Sequence, residues 1–384
     1  MAFRPHLLGH VRLEDASAGY AALLSGAHHD LLSIDLDMAM TPKSGETQSK
    51  PDLSKAIKAK LPATLGPQLA TLASAPPRGG DWLVEMKLDG YRILARVEDG
   101  VARLLTRRGH DWTDKMKSLA VAIQNLGIRN GWFDGEIVVM DSRGLPDFNA
   151  LQNSIGNRKN ENIVFFMFDA PFYGGFDLRK VPLWSRRAVL KEMLEEQDDN
   201  RVRFAQSFNA EPTQVLEAAR QMAMEGVMVK RRDSPYVSGR TETWLKLKCT
   251  LQQEFVICGF TSRSGTKREV GGLLIAYHHE GQLVYAGSVG TGWDSKTGQA
   301  LLAQLLKLEI GDPPLDPRTV TPGRWSRRAP GSERWVKPEL VARVTFSEWT
   351  PDGQVRHPSF KGLRQDIQAQ DVVREALLAV PRRD

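Results

Sequence analysis

Cysteine is scarce in this sequence. The 384 residues include only Cys249 and Cys258. Two cysteines exclude a fold held together by several disulfides and a zinc site built mainly from thiolates. Long hydrophobic runs are also lacking, because no segment reaches the roughly 18–20 consecutive apolar residues that cross a membrane. The sequence therefore predicts no membrane-spanning helix.

Sorting signals and repeats are lacking as well. The first ten residues do not show the basic, then apolar, then small-residue pattern of a secretory signal. The sequence shows neither an internal repeat nor a low-complexity tract. We therefore expect a reducing, cytoplasmic location.

The composition is that of a folded protein with more than one domain. Apolar residues make up 41% of the chain and charged residues 26%, which argues against wholesale disorder. The length favours two domains. The 52 Lys and Arg exceed the 46 Asp and Glu, for a net charge of +6. This mild bias permits a polyanionic partner but does not require one.

Patterns along the chain predict three units. Residues 1–60 hold one short candidate helix at 15–24 and a polar, flexible linker at 41–51. Residues 61–250 mix short alternating strands with helices, which predicts an α+β fold rather than regular βαβ repeats. Residues 251–384 alternate strands with one helix, which fits a small β-barrel such as an OB-fold.

Hydrophobic periodicity places the individual elements. Helical spacing predicts helices at 114–126, 186–196, 212–224 and 295–308. Apolar alternation or short apolar runs predict strands at 82–87, 91–98, 102–106, 132–140, 163–170, 227–231, 243–248, 254–260, 272–278, 283–289 and 340–349. Asp99-Gly100 is typical of the tight turn of a β-hairpin.

Five short motifs carry the chemically informative residues. The first, Glu85-Met86-Lys87-Leu88-Asp89-Gly90-Tyr91-Arg92, places a lysine where a strand meets a turn, although on its own this motif is better explained as a surface hairpin with Asp-Gly as its turn. Lys246 and Lys248 share one side of a strand, which also fits a solvent-exposed face. The other motifs are Phe133-Asp134-Gly135-Glu136, Phe168-Asp169, Glu225-Gly226-Val227-Met228-Val229-Lys230 and Trp244-Leu245-Lys246-Leu247-Lys248.

In this order, the five motifs resemble those of the covalent nucleotidyltransferases. That superfamily includes ATP-dependent DNA ligases, RNA ligases and mRNA capping enzymes. Three further segments resemble the ligase module of bacterial ligase D, an end-joining ligase that works with Ku. They are Gly66-Pro67-Gln68-Leu69-Ala70-Thr71-Leu72, Tyr285-Ala286-Gly287-Ser288-Val289-Gly290-Thr291-Gly292 and His357-Pro358-Ser359-Phe360-Lys361-Gly362-Leu363-Arg364. The resemblance covers residues 60–380 approximately and implies an adenylation domain of antiparallel sheets with helices, followed by an OB-fold β-barrel domain.

The resemblance also implies a cofactor set and a role for each motif residue. ATP and Mg²⁺ or Mn²⁺ are the expected cofactors. Lys87 would form a covalent bond to AMP, Asp89 would lie near the ribose or the 3′-hydroxyl of a nick, and Lys246 and Lys248 would contact the α-phosphate. Glu136 and Glu225 would hold the metal. The expected nucleotide-binding residues are Glu85, Arg92, Arg107, Phe168, Lys230, Arg240 and Arg364. Gln365 stands where the family has an acidic residue, which weakens the role of the last motif.

These residue types suit the implied chemistry. A lysine with a pKa of about 10.4 is protonated at neutral pH, so its surroundings must favour the neutral amine during attack. Arginine offers a planar fork for phosphate oxygens. Carboxylate oxygens are the hard ligands that Mg²⁺ and Mn²⁺ prefer.

The implied partner is nicked or broken duplex DNA, with Ku as a further partner. Basic residues interleaved with Trp325 and Trp335 in the second half would clamp the duplex, although charge that only keeps a loop soluble explains them equally well. They are Arg263, Lys267, Arg268, Arg324, Arg327, Arg328, Arg334 and Lys337. We expect a monomeric bacterial protein associated with the nucleoid. The alternatives are an RNA ligase, another covalent nucleotidyltransferase such as a guanylyltransferase, or a DNA-binding module with a dead catalytic site.

Overall fold

The computed structural model describes residues 50–156, 160–195, 200–208, 210–222, 224–263, 269–320 and 332–375. The predicted helix at 15–24 and most of the predicted linker at 41–51 lie outside these residues. None of the described helices is both long and apolar enough to cross a membrane.

The first half of the described chain combines eleven described strands with four described helices. The helices are α1 (Lys117–Gln124), α2 (Phe148–Gly156), α3 (Leu183–Glu195) and α4 (Pro212–Gln221). The strands are β1 (Ile57–Lys58), β2 (Gln68–Leu72), β3 (Trp82–Met86), β4 (Tyr91–Glu98), β5 (Val101–Thr106), β6 (Gly131–Val139), β7 (Ile163–Tyr173), β8 (Phe176–Asp177), β9 (Val202–Phe204), β10 (Gly226–Arg231) and β11 (Gly239–Lys248).

These strands form two sheets. The larger has the order β1-β8-β7-β6-β4-β5, with β9 paired to β7, and the smaller has the order β2-β11-β10-β3. Most neighbours are antiparallel, whereas β2 runs parallel to β11 and β9 parallel to β7. Strands and helices in this irregular order confirm the predicted α+β class. The long strands β6 and β7 are almost entirely buried, as their continuous apolar runs predict.

Local sequence accounts for the hairpin between β4 and β5. Asp99 and Gly100 both have positive φ, at 48° and 84°, and Glu98 pairs with Val101 across the turn. Asp and Gly tolerate this backbone better than most residues, and such a turn matches the twist of the two strands. The hairpin predicted at this dipeptide is therefore present.

The predicted helix at 114–126 is shorter in the structure. A separate 3₁₀ turn at Thr113–Lys115 precedes α1, and the fully buried Met116 between them has a φ of −138°, outside the helical range. The α-helix therefore begins at Lys117, and the first turn that spacing alone predicts is a 3₁₀ turn followed by the buried Met116. Leu119, Ala120 and Ile123 of α1 pack into the main core, which contains apolar residues of β4, β5, β6 and β7.

The second half of the described chain is mainly β-structure. Its one described α-helix, α5 (Ser295–Lys307), begins at Asp294, whose side chain accepts a hydrogen bond from Thr297 N. The strands are β12 (Leu251–Ser262), β13 (Val270–His279), β14 (Gln282–Val289), β15 (Glu309–Ile310), β16 (Glu333–Val336), β17 (Val341–Phe346), β18 (Glu348–Trp349), β19 (Val355–Arg356) and β20 (Ser359–Arg364).

The long strand β12 organises this half. It pairs with β13, with β16 near its end and with β17 near its beginning, and β17 pairs in turn with β20. The predicted barrel is not closed by a ladder between β14 and β20 among the described residues, although Phe360 N donates to Thr291 O at 2.9 Å across that gap. The strand predicted at 340–349 is divided at Ser347, whose N–H donates to Arg356 O.

A fully buried ion pair ties the larger sheet to α3. Arg186 donates through Nε and Nη2 to both oxygens of Asp169 at 2.7 and 2.8 Å, and both side chains are 0% exposed. The Arg186 guanidinium also donates to the carbonyls of Val181 and Ser234. Because every partner is internal, loss of the arginine would leave a buried carboxylate without a counter-charge.

We predict that Arg186→Met lowers the free energy of unfolding by about 3–5 kcal/mol, the usual cost of an unpaired buried charge. Urea unfolding followed by circular dichroism measures this value. Arg220→Met is the matched control, since Arg220 and its partner Glu217 are both more than half exposed. Equal midpoints for the two variants would contradict the structural role of the buried pair.

Candidate active site

Lys87 lies at the entrance to a sharp connection between the two sheets of the first half. It directly follows β3, and its N–H donates to Gly226 O of β10 at 2.9 Å. Gly90, which precedes β4, lies so close to β6 that an added Cβ would be 2.0 Å from Ile137 O. Only glycine fits there, so Lys87 and Asp89 are held on a short connection with little freedom.

The Lys87 ammonium is surrounded by carboxylates. Its Nζ lies 2.5 Å from Glu225 Oε2, and the two side chains are 20% and 7% exposed. Burial alone would lower the pKa of Lys87, but the charges of Glu225, Glu136 and Asp89 outweigh this effect and raise the pKa to about 12. In this state Lys87 is an ammonium and not a nucleophile.

Glu136 lies on β6 opposite Arg92 of β4 and Phe166 of β7. Desolvation, together with the nearby charge of Glu225, raises the pKa of Glu136 to about 7. Among the described residues, no three His, Cys, Asp or Glu side chains gather into a protein-only metal site. Glu136 and Glu225 fit a Mg²⁺ or Mn²⁺ ion that takes its remaining ligands from phosphate oxygens and water, as Mg²⁺ usually does.

Aromatic rings and cations form a pocket beside this cluster. The Lys230 Nζ lies 4.1 Å from the ring centre of Phe168 and 4.3 Å from that of Trp244, and the Arg92 guanidinium lies 4.4 Å from Phe168. Trp244 Nε1 is buried and has no hydrogen-bond partner within the described structure.

Ion pairs fix the cations of this pocket. Lys230 donates to Glu85 Oε2 at 2.7 Å, and Arg187 Nη1 lies 2.7 Å from Glu85 Oε1. Arg92 binds both oxygens of Asp134, at 2.5 and 2.7 Å. Desolvation is the main cause of the lowered pKa of Lys230, about 8. These cations are thus held in place by the protein itself.

Lys246 and Lys248 project from the same side of β11, as their spacing predicts. Both bind one carboxylate: Lys246 Nζ lies 2.5 Å from Glu375 Oε1 and Lys248 Nζ lies 2.8 Å from Glu375 Oε2. The lysine pair therefore holds an anion with its two oxygens shared between two ammonium groups.

Two arginines from the second half reach the same region. Arg364, at the end of β20, binds Asp366 at 2.8 and 2.6 Å, and its guanidinium lies 5.0 Å from the Tyr91 ring. Arg343 of β17 contacts Asp89 and lies 4.2 Å from the Phe148 ring. The late motif thus approaches the Lys87 connection.

Comparison with known proteins identifies the two halves. Residues 67–248 match the model of the ATP dependent DNA ligase domain, and residues 266–367 match that of the ATP dependent DNA ligase C terminal region. A solved structure described as mycobacterial DNA ligase D complexed with ATP and MES is 34% identical, with a TM-score of 0.60, and the match covers 81% of this chain and 98% of that chain. This chain belongs to the ATP-dependent DNA ligases.

Two relatives of this ligase are much longer proteins. The multifunctional non-homologous end joining protein LigD of Pseudomonas aeruginosa is 42% identical over 83% of this chain and 37% of that protein. The LigD DNA repair protein of Mycobacterium tuberculosis is 34% identical over 81% of this chain and 40% of that protein. The chain thus spans about two fifths of the length of these relatives.

Several residues predicted for the ligase site come together. Lys87, Asp89, Glu136 and Glu225 interact electrostatically, while Phe168, Lys230, Glu85 and Arg92 share the aromatic pocket. Arg107 and Arg240 are exposed, and Arg107 is close enough to Arg92 and Arg240 to interact with both electrostatically. Their predicted roles remain predictions.

Glu375, Arg343 and Glu254 were not predicted from the sequence. Glu254 of β12 lies 3.5 Å from Arg364 and 3.6 Å from Arg343. All three belong to the second half, and they lack a local pattern that would mark them as site residues. The alternation around Glu254 and Arg343 predicts only strands.

We predict that Glu225→Gln increases the reactivity of Lys87 in the nucleotide-free ligase. Removal of the carboxylate removes a main cause of the raised pKa, and each unit of decrease exposes about tenfold more neutral amine below that pKa. Mass spectrometry of Lys87 acylation by a small amine-reactive reagent at pH 8 measures this fraction. Lys117, which is 75% exposed, serves as the internal reference. Equal Lys87 labelling in both proteins would contradict the electrostatic assignment.

Proposed function

We propose that this chain seals 5′-phosphate and 3′-hydroxyl ends of duplex DNA through a covalent lysine–AMP intermediate. The observation that carries the proposal is the position of Lys87, fixed at the end of β3 beside Glu225 and close enough to Glu136 and Lys246 to interact electrostatically with both. A nucleophile held beside both a metal-binding and a phosphate-binding group suits attack on a nucleoside triphosphate.

The first step would be nucleotidyl transfer to Lys87. The Nζ lone pair attacks the α-phosphorus of ATP, the new N–P bond forms, and the P–O bond to pyrophosphate breaks. Glu225 Oε2, at 2.5 Å, would hold Nζ in place, and the proton that leaves Nζ would pass to solvent. Lys246 and Lys248 would neutralise charge on the phosphates, and Glu136 and Glu225 would bind Mg²⁺ or Mn²⁺.

The remaining steps would join the DNA ends. AMP passes from Lys87 to the 5′-phosphate, and the 3′-hydroxyl then displaces AMP. Asp89 would lie near the ribose or the 3′-hydroxyl. Phe168 would stack on adenine with Glu85 and Lys230 at the base edge, while Arg92, Arg107, Arg240 and Arg364 would bind phosphates or ribose.

The biological setting that we propose is repair of DNA double-strand breaks. It is supported by the names of the relatives, which are described as non-homologous end joining proteins. Ku would be the protein partner, and a monomeric ligase at the bacterial nucleoid would be the acting form.

We further propose the division 1–60 (extension), 61–250 (adenylation domain) and 251–384 (OB-fold domain). The change of sheet between Lys248 and Leu251 supports its second boundary.

We predict that Lys87→Arg forms no AMP adduct, because a guanidinium stays protonated and cannot attack phosphorus. Incubation with ATP labelled at the α-phosphate and with Mg²⁺ or Mn²⁺, followed by denaturing electrophoresis, measures the adduct. Lys117→Ala should label like the wild type. Competition for adduct formation by unlabelled ATP and GTP identifies the nucleotide. Comparison of strand sealing on nicked DNA and on nicked RNA identifies the substrate. Adduct formation by Lys87→Arg would refute the assignment of the nucleophile.

DNA binding by the second half gives another prediction. Arg263 and Lys337 are exposed basic residues of the predicted clamp, whereas most of its other members lie outside the described residues. If both contact phosphates, Arg263→Ala combined with Lys337→Ala should reduce the slope of log K against log salt by about two. Fluorescence anisotropy with a nicked duplex measures the slope, and Lys117→Ala is the control. An unchanged slope would place the DNA elsewhere.

A further inference from the structure

One anion in the candidate site comes from the chain itself. Glu375 follows the last described strand by eleven residues and shares its carboxylate between Lys246 and Lys248. The three side chains are 19%, 16% and 6% exposed in that order. A carboxylate bound by two ammonium groups, one on each oxygen, has the charge and the geometry of a bound phosphate edge.

The segment that carries Glu375 is fixed by its own contacts. Val372 O accepts from His278 N at 2.7 Å, so the segment lies beside the end of β13. Glu375 N donates to Gln253 Oε1 at 3.0 Å, and Gln253 Nε2 donates to Val373 O at 3.3 Å. The Arg374 guanidinium lies 4.2 Å from the Trp349 ring. Backbone and side-chain contacts therefore position the Glu375 carboxylate next to Lys246 and Lys248.

The charges around Glu375 keep its carboxylate ionised and bound to the lysine pair, yet another anion can displace it. Burial tends to raise its pKa, but Lys248 and Lys246 outweigh this and hold the pKa below its usual range, so Glu375 is ionised at neutral pH. Glu254 opposes this effect, because its negative charge repels that of Glu375. A more highly charged anion with its own divalent cation would compete well for the same two ammonium groups.

We propose that Glu375 is an internal substitute for the nucleotide phosphate. In the nucleotide-free ligase it neutralises Lys246 and Lys248, and it leaves them when ATP binds. This inference rests on the proposed function, in which the lysine pair receives the α-phosphate. Glu375 takes one donor from each ammonium group, and its negative charge would repel a phosphate bound at the same pair, so the two anions compete. Affinity for ATP is then reduced by the fraction of molecules in which Glu375 is bound.

The first test compares Glu375→Gln with the wild type. The amide keeps the shape but loses the charge, so we expect the apparent KM for ATP in adduct formation to fall about tenfold, with the maximal rate within about twofold. A factor of ten corresponds to about 1.4 kcal/mol, close to the lower end of the range for a hydrogen bond to a charged group. Glu375→Asp keeps the charge and should remain closer to the wild type.

Glu242→Gln is the matched control, because Glu242 is an exposed carboxylate on β11, the strand of the lysine pair. It should leave both kinetic constants unchanged. If the wild type forms no adduct, the proposed function itself fails. If the wild type forms the adduct and Glu375→Gln shows an unchanged or higher KM, Glu375 only positions the lysines and the substitute role is refuted while the ligase assignment stands.

A second measurement does not depend on a variant. The Glu375 amide is bonded to Gln253, so release of the segment should accelerate its hydrogen exchange. Exchange of a peptide that contains Glu375, followed by mass spectrometry, should be at least several-fold faster after incubation with ATP and Mg²⁺ than without nucleotide. Unchanged or slower exchange in fully adenylylated protein would overturn the proposal even if Glu375→Gln failed to fold.

Discussion

The chemistry of this site depends on the proton of Lys87. A primary amine must lose that proton to attack phosphorus, yet the carboxylates of Glu225, Glu136 and Asp89 favour the ammonium. A nucleotide alone would add negative charge and strengthen this preference. In the proposed function, a divalent cation on the same carboxylates would favour the neutral amine of Lys87, because a bound metal ion is the largest local charge in such a site and reverses its pKa order. Nucleophilicity of Lys87 would then be coupled to metal binding.

Buried ion pairs behind the site provide the rigidity that this coupling requires. Glu85 of β3 binds Lys230 of β10 and Arg187 of α3, so one carboxylate connects three elements. Asp134 binds Arg92 and also accepts a hydrogen bond from the Tyr236 hydroxyl at 2.6 Å. Removal of such groups from water is costly, and the pairs contribute little net stability for that reason. Their directional contacts instead fix the aromatic pocket relative to Lys87.

Local patterns in the sequence predict much of this arrangement. The Asp99-Gly100 turn, the buried runs of β6 and β7, and the shared side of Lys246 and Lys248 all follow from periodicities of two or from turn chemistry. Helix α2 was not predicted, although Phe148, Leu151 and Ile155 have helical spacing and Asp147 offers a capping signal that Ala150 N uses at 2.9 Å. Glu375 could not be found this way. It lies 129 positions from Lys246, and a contact at that separation leaves no local trace.

The two halves of the ligase meet mainly through charges. The core around Tyr91 and the core around Phe255 are separate clusters of buried residues. Between them many described contacts are ionic or cation–π: Arg343 with Asp89, Arg364 with Tyr91, and Glu375 with the lysine pair. Gln152 of α2 also donates to Leu363 O of β20. A junction of this kind can open without the exposure of a continuous apolar core, since its groups exchange one set of ionic partners for water or for another anion.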